Sequence, residues 1–132
     1  MRRTTCDKVI SYVQKINKPI NIRFHGGEPL LEYSNLKYLY ENLKMNKNVK
    51  TFGLTTNAFI LDEEKIYFLS ESMDDFSISI DGTKEVHDKY RRDASGRGTY
   101  DKVSEVIPQV MKKKPYARAR MTITTDTIPY LY

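Results

Sequence analysis

The sequence predicts an α/β fold in which a parallel β-sheet alternates with helices. Four short segments rich in β-branched and aromatic residues are separated by longer stretches whose apolar residues recur at helical spacing. These longer stretches can serve as the crossover helices that parallel neighbouring strands require. We therefore expect one α/β domain over residues 1–132.

The first helix is predicted from an apolar stripe in residues 9–16, with Thr4 or Thr5 as its N-terminal cap. Pro19 then interrupts the helical pattern. Apolar and polar residues alternate in residues 20–24, which predicts the first strand.

The middle of the chain repeats this order twice. Ser34 is expected to cap a helix whose apolar stripe lies in residues 36–43, and the β-rich residues 49–56 predict the second strand. Asp62 is expected to cap the third helix, and alternation in residues 76–80 predicts the third strand.

The last part predicts a short helix over residues 83–90 and a longer one around residues 103–110. Pro108 lies inside the longer helix, so we expect a kink there or a late start. Residues 118–125 predict the fourth strand, and Asp126-Thr127 resembles the cap of a helix that is cut short after residue 132.

The composition excludes several classes of protein. No apolar run reaches the ~18 residues of a membrane span, and the N-terminus has no apolar stretch typical of a secretory signal. The single cysteine, Cys6, cannot form an internal disulfide, which favours a reducing, cytoplasmic compartment. The net charge of +5 is spread over short basic runs without interleaved aromatic residues, so we do not expect nucleic-acid binding.

Small polar residues follow each predicted strand. In parallel α/β folds, ligands bind at the carboxyl ends of the strands, so these residues form the candidate site. They suit a ligand with an amino-acid end and a ribose, and they contain no hydrolytic triad and no phosphate-binding loop. In chain order they are His25-Gly26-Gly27-Glu28-Pro29, Thr55-Thr56-Asn57, Ser79 with Asp81-Gly82, and Thr122 with Thr124-Thr125.

The run Ile22 to Leu31, which contains His-Gly-Gly-Glu-Pro, resembles the radical S-adenosylmethionine (SAM) superfamily, and most closely its peptide- and protein-modifying branch, which includes the anaerobic sulfatase maturases. The resemblance continues in order along nearly the whole chain, although Ala58 replaces the glycine of a Thr-Asn-Gly pattern. The further matching segments are Leu54-Thr55-Thr56-Asn57-Ala58, Ser77-Ile78-Ser79-Ile80-Asp81-Gly82, His87-Asp88-Lys89-Tyr90-Arg91 and Gly98-Thr99-Tyr100-Asp101-Lys102-Val103.

The resemblance implies a role for each matching residue. The Gly26-Gly27 backbone would receive the SAM amino group, with Glu28 supporting it and Pro29 fixing the exit of the loop. Ser79 would face the ribose or the carboxylate of SAM, and Arg91 would pair with that carboxylate. Residues 122–124, with Thr122 first, would lie near the adenine.

Other positions have two interpretations. Asn57 and Asp81 are candidate cofactor-binding positions that shape the loops, and simple turn capping is the alternative that we favour. We interpret His87 as a surface residue of a helix, and His25 as a residue that orients its loop.

The resemblance also implies a [4Fe–4S] cluster held by a Cys-x-x-x-Cys-x-x-Cys loop, and this sequence has only Cys6. The resemblance therefore implies that residues 1–132 are a partial radical SAM core domain, which is a part of a (β/α) barrel truncated at both ends. Its parent would cleave SAM to a 5′-deoxyadenosyl radical and modify a peptide or protein, while the chain alone would be inactive and bind neither cofactor. The alternative is a small non-catalytic α/β module that binds a ligand or a protein. Loss of the preceding strand would expose a sheet edge near residues 20–24, where we expect two copies to pair.

Overall fold

The computed structural model describes residues 1–130. A four-stranded parallel sheet has the strand order β1-β2-β3-β4. The strands are β1 (Ile20–Phe24), β2 (Val49–Thr56), β3 (Asp75–Ser79) and β4 (Arg118–Arg120). The helices are α1 (Arg3–Gln14), α2 (Tyr33–Leu43), α3 (Glu63–Ser72), α4 (Lys84–Tyr90) and α5 (Tyr100–Lys113), with 3₁₀ turns at Pro29–Glu32 and Ile128–Tyr130. The parallel sheet with alternating helices confirms the predicted fold class.

The two faces of the sheet differ in polarity. Alternate strand residues such as Phe52, Leu54 and Phe76 are buried in one apolar cluster, together with side chains from α1, α2, α3 and α5. The residues between them on the strands, such as Arg23 and Asp75, are polar and lie on the opposite face. One face of the sheet is therefore the core, and the other is a polar surface.

Two of the predicted helix caps are wrong. Arg2 precedes α1 without a side-chain capping bond, and Thr4 and Thr5 lie inside the helix. Ser34 also lies inside its helix, because the 3₁₀ turn at Pro29–Glu32 leads directly into α2. The cap at Asp62 is confirmed, since its side chain accepts from the Lys65 N–H at 2.9 Å.

The predicted late start of α5 is also wrong. The helix begins at Tyr100, whose backbone N–H donates to Oδ1 of Asp88 at 2.8 Å, and it continues through Pro108 to Lys113. A side chain from α4 therefore supplies an acceptor for the first turn of α5, which the local sequence pattern does not reveal.

The fourth strand is shorter than predicted and ends at Arg120. The N–H of Thr122 donates to Asp81 and the N–H of Thr124 donates to the hydroxyl of Thr127, so side chains take these N–H groups away from a strand ladder. A 3₁₀ turn follows at Ile128–Tyr130, and the remainder of the predicted final helix lies outside the described residues. Among the described helices, none is long and apolar enough to cross a membrane.

Candidate functional site

A polar cavity of about 340 Å³ lies at the carboxyl ends of the strands. Five of the nine residues predicted for the site line it, namely Gly27, Asn57, Ser79, Arg91 and Thr122. The other lining residues are His25, Thr55, Thr56 and Arg120. The structure therefore brings together residues that are up to 97 positions apart in the chain, between His25 and Thr122.

The remaining predicted residues lie around this cavity. Gly26, Glu28 and Pro29 line a second cavity of about 330 Å³, between the loop after β1, the N-terminal Met1 and helix α2. Asp81 lies in a smaller cavity next to the first one and is 3% exposed. The loop after β1 thus separates two cavities, with Gly27 on the strand-end side and His25 lining both.

Glu28 fastens the loop after β1 to the end of β2. Its Oε1 accepts from the Thr56 hydroxyl at 2.7 Å and from the Leu30 N–H at 3.1 Å, and its Oε2 accepts from the Asn57 N–H at 2.7 Å. Both carboxylate oxygens are therefore used within the protein. Glu28 therefore fixes the position of the loop, and its contact with Thr56 was not predicted from the sequence.

The two glycines of this loop lie in backbone conformations with φ values of +95° for Gly26 and +39° for Gly27. Residues with a Cβ rarely adopt these values. No atom lies within 4 Å of the position that a Cβ would take at either glycine. The space in front of this backbone is consequently open to a ligand.

Asp81 holds Arg91 and Thr122 together. It accepts from Nε of Arg91 at 2.5 Å, from Nη2 of Arg91 at 3.2 Å and from the N–H of Thr122 at 2.8 Å. Burial raises the pKa of Asp81, but the hydrogen bonds from Arg91 and Thr122 outweigh burial and hold the pKa below its usual value. The carboxylate is therefore charged at neutral pH, and the turn-capping interpretation of Asp81 is wrong.

Asn57 does cap a turn, since its Oδ1 accepts from the Phe59 N–H at 3.0 Å. Ala58, which stands where the family pattern has glycine, has a φ of +61°. Ala58 therefore adopts the left-handed backbone conformation that costs glycine little, although alanine carries a methyl side chain. The side chain of Ala58 is fully buried in the apolar cluster, which offsets part of the conformational strain.

His87 is fully buried, so its interpretation as a surface residue is wrong. Its Nδ1 accepts from the Asp81 N–H at 3.2 Å, which leaves the proton on Nε2. Nε2 then donates to the Thr99 hydroxyl at 3.0 Å, and that hydroxyl donates to the carbonyl of Arg91 at 3.1 Å. Burial, and then the charge of Arg91, lower the pKa of His87, so the ring is neutral at neutral pH.

His87 and Thr99 both lie in segments that resemble the radical SAM superfamily, but the sequence did not predict that they contact each other. Their connection is a polar relay that fixes the backbone at Asp81 and at Arg91. The spacing of twelve residues between them gives no local signal, because the contact crosses from α4 to the residue before α5. The contact between His87 and Thr99 is therefore visible only in the folded structure.

The profile of the radical SAM superfamily matches residues 1–131. The chain belongs to the radical SAM superfamily. A 29% identical relative is the cysteine-type anaerobic sulfatase-maturating enzyme of Clostridium perfringens, for which the match covers 96% of this chain and 36% of the relative. A similar enzyme of Clostridium novyi is 38% identical over 89 residues, which are 61% of this chain and 22% of that protein.

The solved structure of native anSMEcpe with bound AdoMet and Kp18Cys peptide is similar to this radical SAM chain, with a TM-score of 0.85 and 29% sequence identity. The similarity covers 99% of this chain and 38% of that structure. This radical SAM chain thus spans between a third and two fifths of the length of the C. perfringens enzyme and of this structure.

The residues at the strand ends fit SAM. Open glycine backbone, hydroxyl groups and the guanidinium groups of Arg91 and Arg120 match a ligand that carries an amino group, a carboxylate and a ribose. Within the described part of the chain, the buried hydroxyl of Thr55 on the cavity wall has no hydrogen-bond partner. Buried polar groups are normally paired, so this hydroxyl is available to a ligand.

The residues of this chain do not fit the [4Fe–4S] cluster. Cys6 is the only cysteine of the sequence, and it is fully buried in α1. Among residues 1–130, no group of three or more His, Cys, Asp or Glu side chains is arranged to hold a metal ion. The ligands of a radical SAM cluster must therefore come from outside the sequence of this chain.

Proposed function

We propose that this chain forms the SAM-binding part of a radical SAM enzyme that modifies a peptide or protein. The observation that carries the proposal is the polar cavity where Gly27, Ser79, Arg91 and Thr122 converge, in a chain that belongs to the radical SAM superfamily. In the whole enzyme, SAM held by these residues would be the source of a 5′-deoxyadenosyl radical, and the cluster that would supply the electron would need ligands that this chain lacks.

The residues of this chain bind and orient SAM in this proposal. The open backbone at Gly26 and Gly27 receives the amino group, and Glu28 keeps that backbone in place through Thr56. Ser79 and Arg91 bind the carboxylate. Within residues 1–130, Nη1 of Arg91 has no hydrogen-bond partner, so Arg91 can bind a ligand while Nε and Nη2 remain on Asp81.

The substrate class is supported by the relatives. The cysteine-type sulfatase-maturating enzymes and the peptide in the similar solved structure both indicate a peptide or protein substrate for the whole enzyme. A cytoplasmic location is part of the proposal, since a reducing compartment preserves both free thiols and iron–sulfur clusters.

A non-catalytic α/β binding module is the second candidate. It is favoured by the single cysteine and by the lack of a metal-ligand group in the described residues. Such a module would bind a ligand at the same strand ends without redox chemistry, and it would have no reason to prefer SAM over other ribose-containing compounds.

Equilibrium dialysis with labelled SAM tests the proposal. In contrast to the expectation from the sequence that the chain alone binds neither cofactor, the strand-end cavity leads us to expect that it binds SAM in preference to ATP and NAD. Ser79→Ala should weaken SAM binding by roughly tenfold, as expected for a lost hydrogen bond to a charged group. Ser95→Ala, in an exposed loop, is the matched control and should bind SAM like the unchanged chain. No preference for SAM, or equal binding by both variants, would contradict the proposal.

A further inference from the structure

The polar face of the sheet has small residues on its two central strands and arginines on its two edge strands. The strand register aligns Arg23 of β1 with Gly53 of β2 and Asp75 of β3. It also aligns Arg118 of β4 with Ser77 of β3. Strands lie ~4.8 Å apart, so the backbones of the two edge strands are about 14 Å apart, and the side chains of Arg23 and Arg118 both reach inwards over the sheet to Asp75.

Asp75 fixes the first two arginines. One of its carboxylate oxygens pairs with Arg23 and the other pairs with Arg118. Gly53 makes this possible, because a Cβ there would lie 3.4 Å from the guanidinium carbon of Arg23 and from the Cβ of Asp75. Burial raises the pKa of Asp75, but hydrogen bonds from Arg118 and Arg23 hold it below its usual value. Two positive charges therefore share one negative charge.

Arg120 adds a further positive charge next to the strand-end cavity, which it lines together with Ser79. It is exposed, and no carboxylate among residues 1–130 pairs with it. Arg23, Arg118 and Arg120 with Asp75 give this arginine face a net charge of +2, and the side chains of Arg23 and Arg118 are 50% and 62% exposed.

We infer that this arginine face binds an acidic segment of the peptide or protein substrate, beside the residue that is modified. The inference rests on the proposed function for the presence of a peptide, and it adds the chemical class of its sequence. Arginine forks pair with carboxylates through two parallel hydrogen bonds, so Asp and Glu side chains are the favoured partners. Arg120 connects the arginine face with the strand-end cavity, so the acidic residues would lie a few positions from the modified residue.

Fluorescence anisotropy with the unchanged chain tests this inference. The probes are a labelled peptide with alternating Asp and Glu residues, a matched peptide with Asn and Gln, and a single-stranded RNA of equal charge. We expect the acidic peptide to bind more tightly than the neutral one. Arg118→Gln and Arg120→Gln should each weaken that binding by about threefold to fivefold, as for a partly solvated ion pair. Lys112→Gln removes the same charge from an exposed position on α5 and is the matched control.

The two proposals fail separately. Arg118→Gln should leave SAM binding in the dialysis assay unchanged, because Arg118 does not line the strand-end cavity. Equal binding of acidic and neutral peptides, an equal loss with Lys112→Gln, or tighter binding of RNA than of the acidic peptide would overturn the arginine-face inference while SAM binding persists. Loss of SAM binding in the unchanged chain would instead overturn the proposed function.

Discussion

Arg91 and Asp81 form a two-point ion pair that joins the residue after α4 to the segment after β3. Nε of Arg91 donates to Oδ2 of Asp81 at 2.5 Å, and Nη2 donates to Oδ1 at 3.2 Å. The pair leaves one edge of the guanidinium facing the strand-end cavity. Asp81 is therefore a positioning residue, and the orientation of Arg91 depends on a carboxylate that itself does not line that cavity.

Asp81→Asn should lower the free energy of unfolding by about 2–3 kcal/mol, because it leaves the Arg91 charge without its buried partner. Urea denaturation followed by circular dichroism measures this change. Asp101→Asn is the control, since Asp101 pairs with Lys84 at the surface and its side chain is 80% exposed. A similar effect of both substitutions would show that the buried pair contributes nothing special.

The stability of the chain should fall as the pH drops below 6.5, the ordinary pKa of histidine. The pKa of His87 is lowered in the folded state, mainly by burial. As the pH falls, the unfolded state therefore protonates His87 before the folded state does, and this protonation stabilises the unfolded state relative to the folded one. The free energy of unfolding is therefore unaffected by the titration of His87 above pH 6.5, and it decreases as the pH falls from 6.5 towards the folded pKa of His87.

Urea midpoints at a series of pH values measure the effect of His87. His87→Gln should remove the part of the slope just below pH 6.5, because glutamine does not titrate. The pKa values of Asp81 and Asp75 are lowered in the folded state. The loss of stability that their protonation causes at lower pH should therefore remain in the variant. An unchanged slope below pH 6.5 in the variant would assign the effect to another group.

Gly98→Ala should destabilise the start of α5 by about 1 kcal/mol, the value of a helix cap. A Cβ at Gly98 would lie 2.1 to 2.4 Å from the carboxylate atoms of Asp88, which accepts from the Tyr100 N–H. The carboxylate must move away and leave that N–H without its partner. A double-mutant cycle with Asp88→Ala tests the cause, since Gly98→Ala should cost little once Asp88 is absent. Additive losses would point to another mechanism.

Anaerobic treatment of the chain with iron and sulfide should yield no [4Fe–4S] cluster, because one buried thiol, Cys6, cannot replace three cysteine ligands. Electron paramagnetic resonance of the reduced sample measures cluster content. Cys6→Ala should give the same spectrum as the unchanged chain. A stoichiometric cluster signal that disappears in Cys6→Ala would contradict the assignment of the ligands to another part of the enzyme.

The exposed edge of β1 should pair with a second copy of the chain at high concentration. β1 is the first strand of the sheet and contacts only β2 as a strand neighbour within the described residues. Unpaired strand edges favour association with other strands. Size-exclusion chromatography with light scattering should show a dimer that increases with concentration, and a monomer throughout the series would refute edge pairing.

The strand positions and the polar residues after them could be predicted because they depend on local patterns. Alternation in residues 20–24 and the glycines after them correctly located β1 and its loop. The burial of His87 and the end of β4 at Arg120 could not be predicted in this way. Both depend on hydrogen bonds to Asp81 across the fold, and a periodic sequence pattern contains no information about such partners.

The same limit applies to the polar face of the sheet. Arg118 and Arg120 are basic residues in the sequence, but only the strand register shows that Arg118 lies opposite Ser77 and Arg120 opposite Ser79. In the structure, Asp75 lies opposite Gly53 in the sheet and pairs with both Arg23 and Arg118. Which charges face each other is set by register, and register depends on the whole sheet.

Binding of SAM at the strand ends is the central claim, and an amide NMR titration with SAM tests it most directly. We predict that shifts concentrate on Gly27, Asn57, Ser79 and Thr122, which line the 340 Å³ cavity. Shifts confined to the separate cavity between the loop and helix α2, or no shifts at millimolar SAM, would contradict the claim.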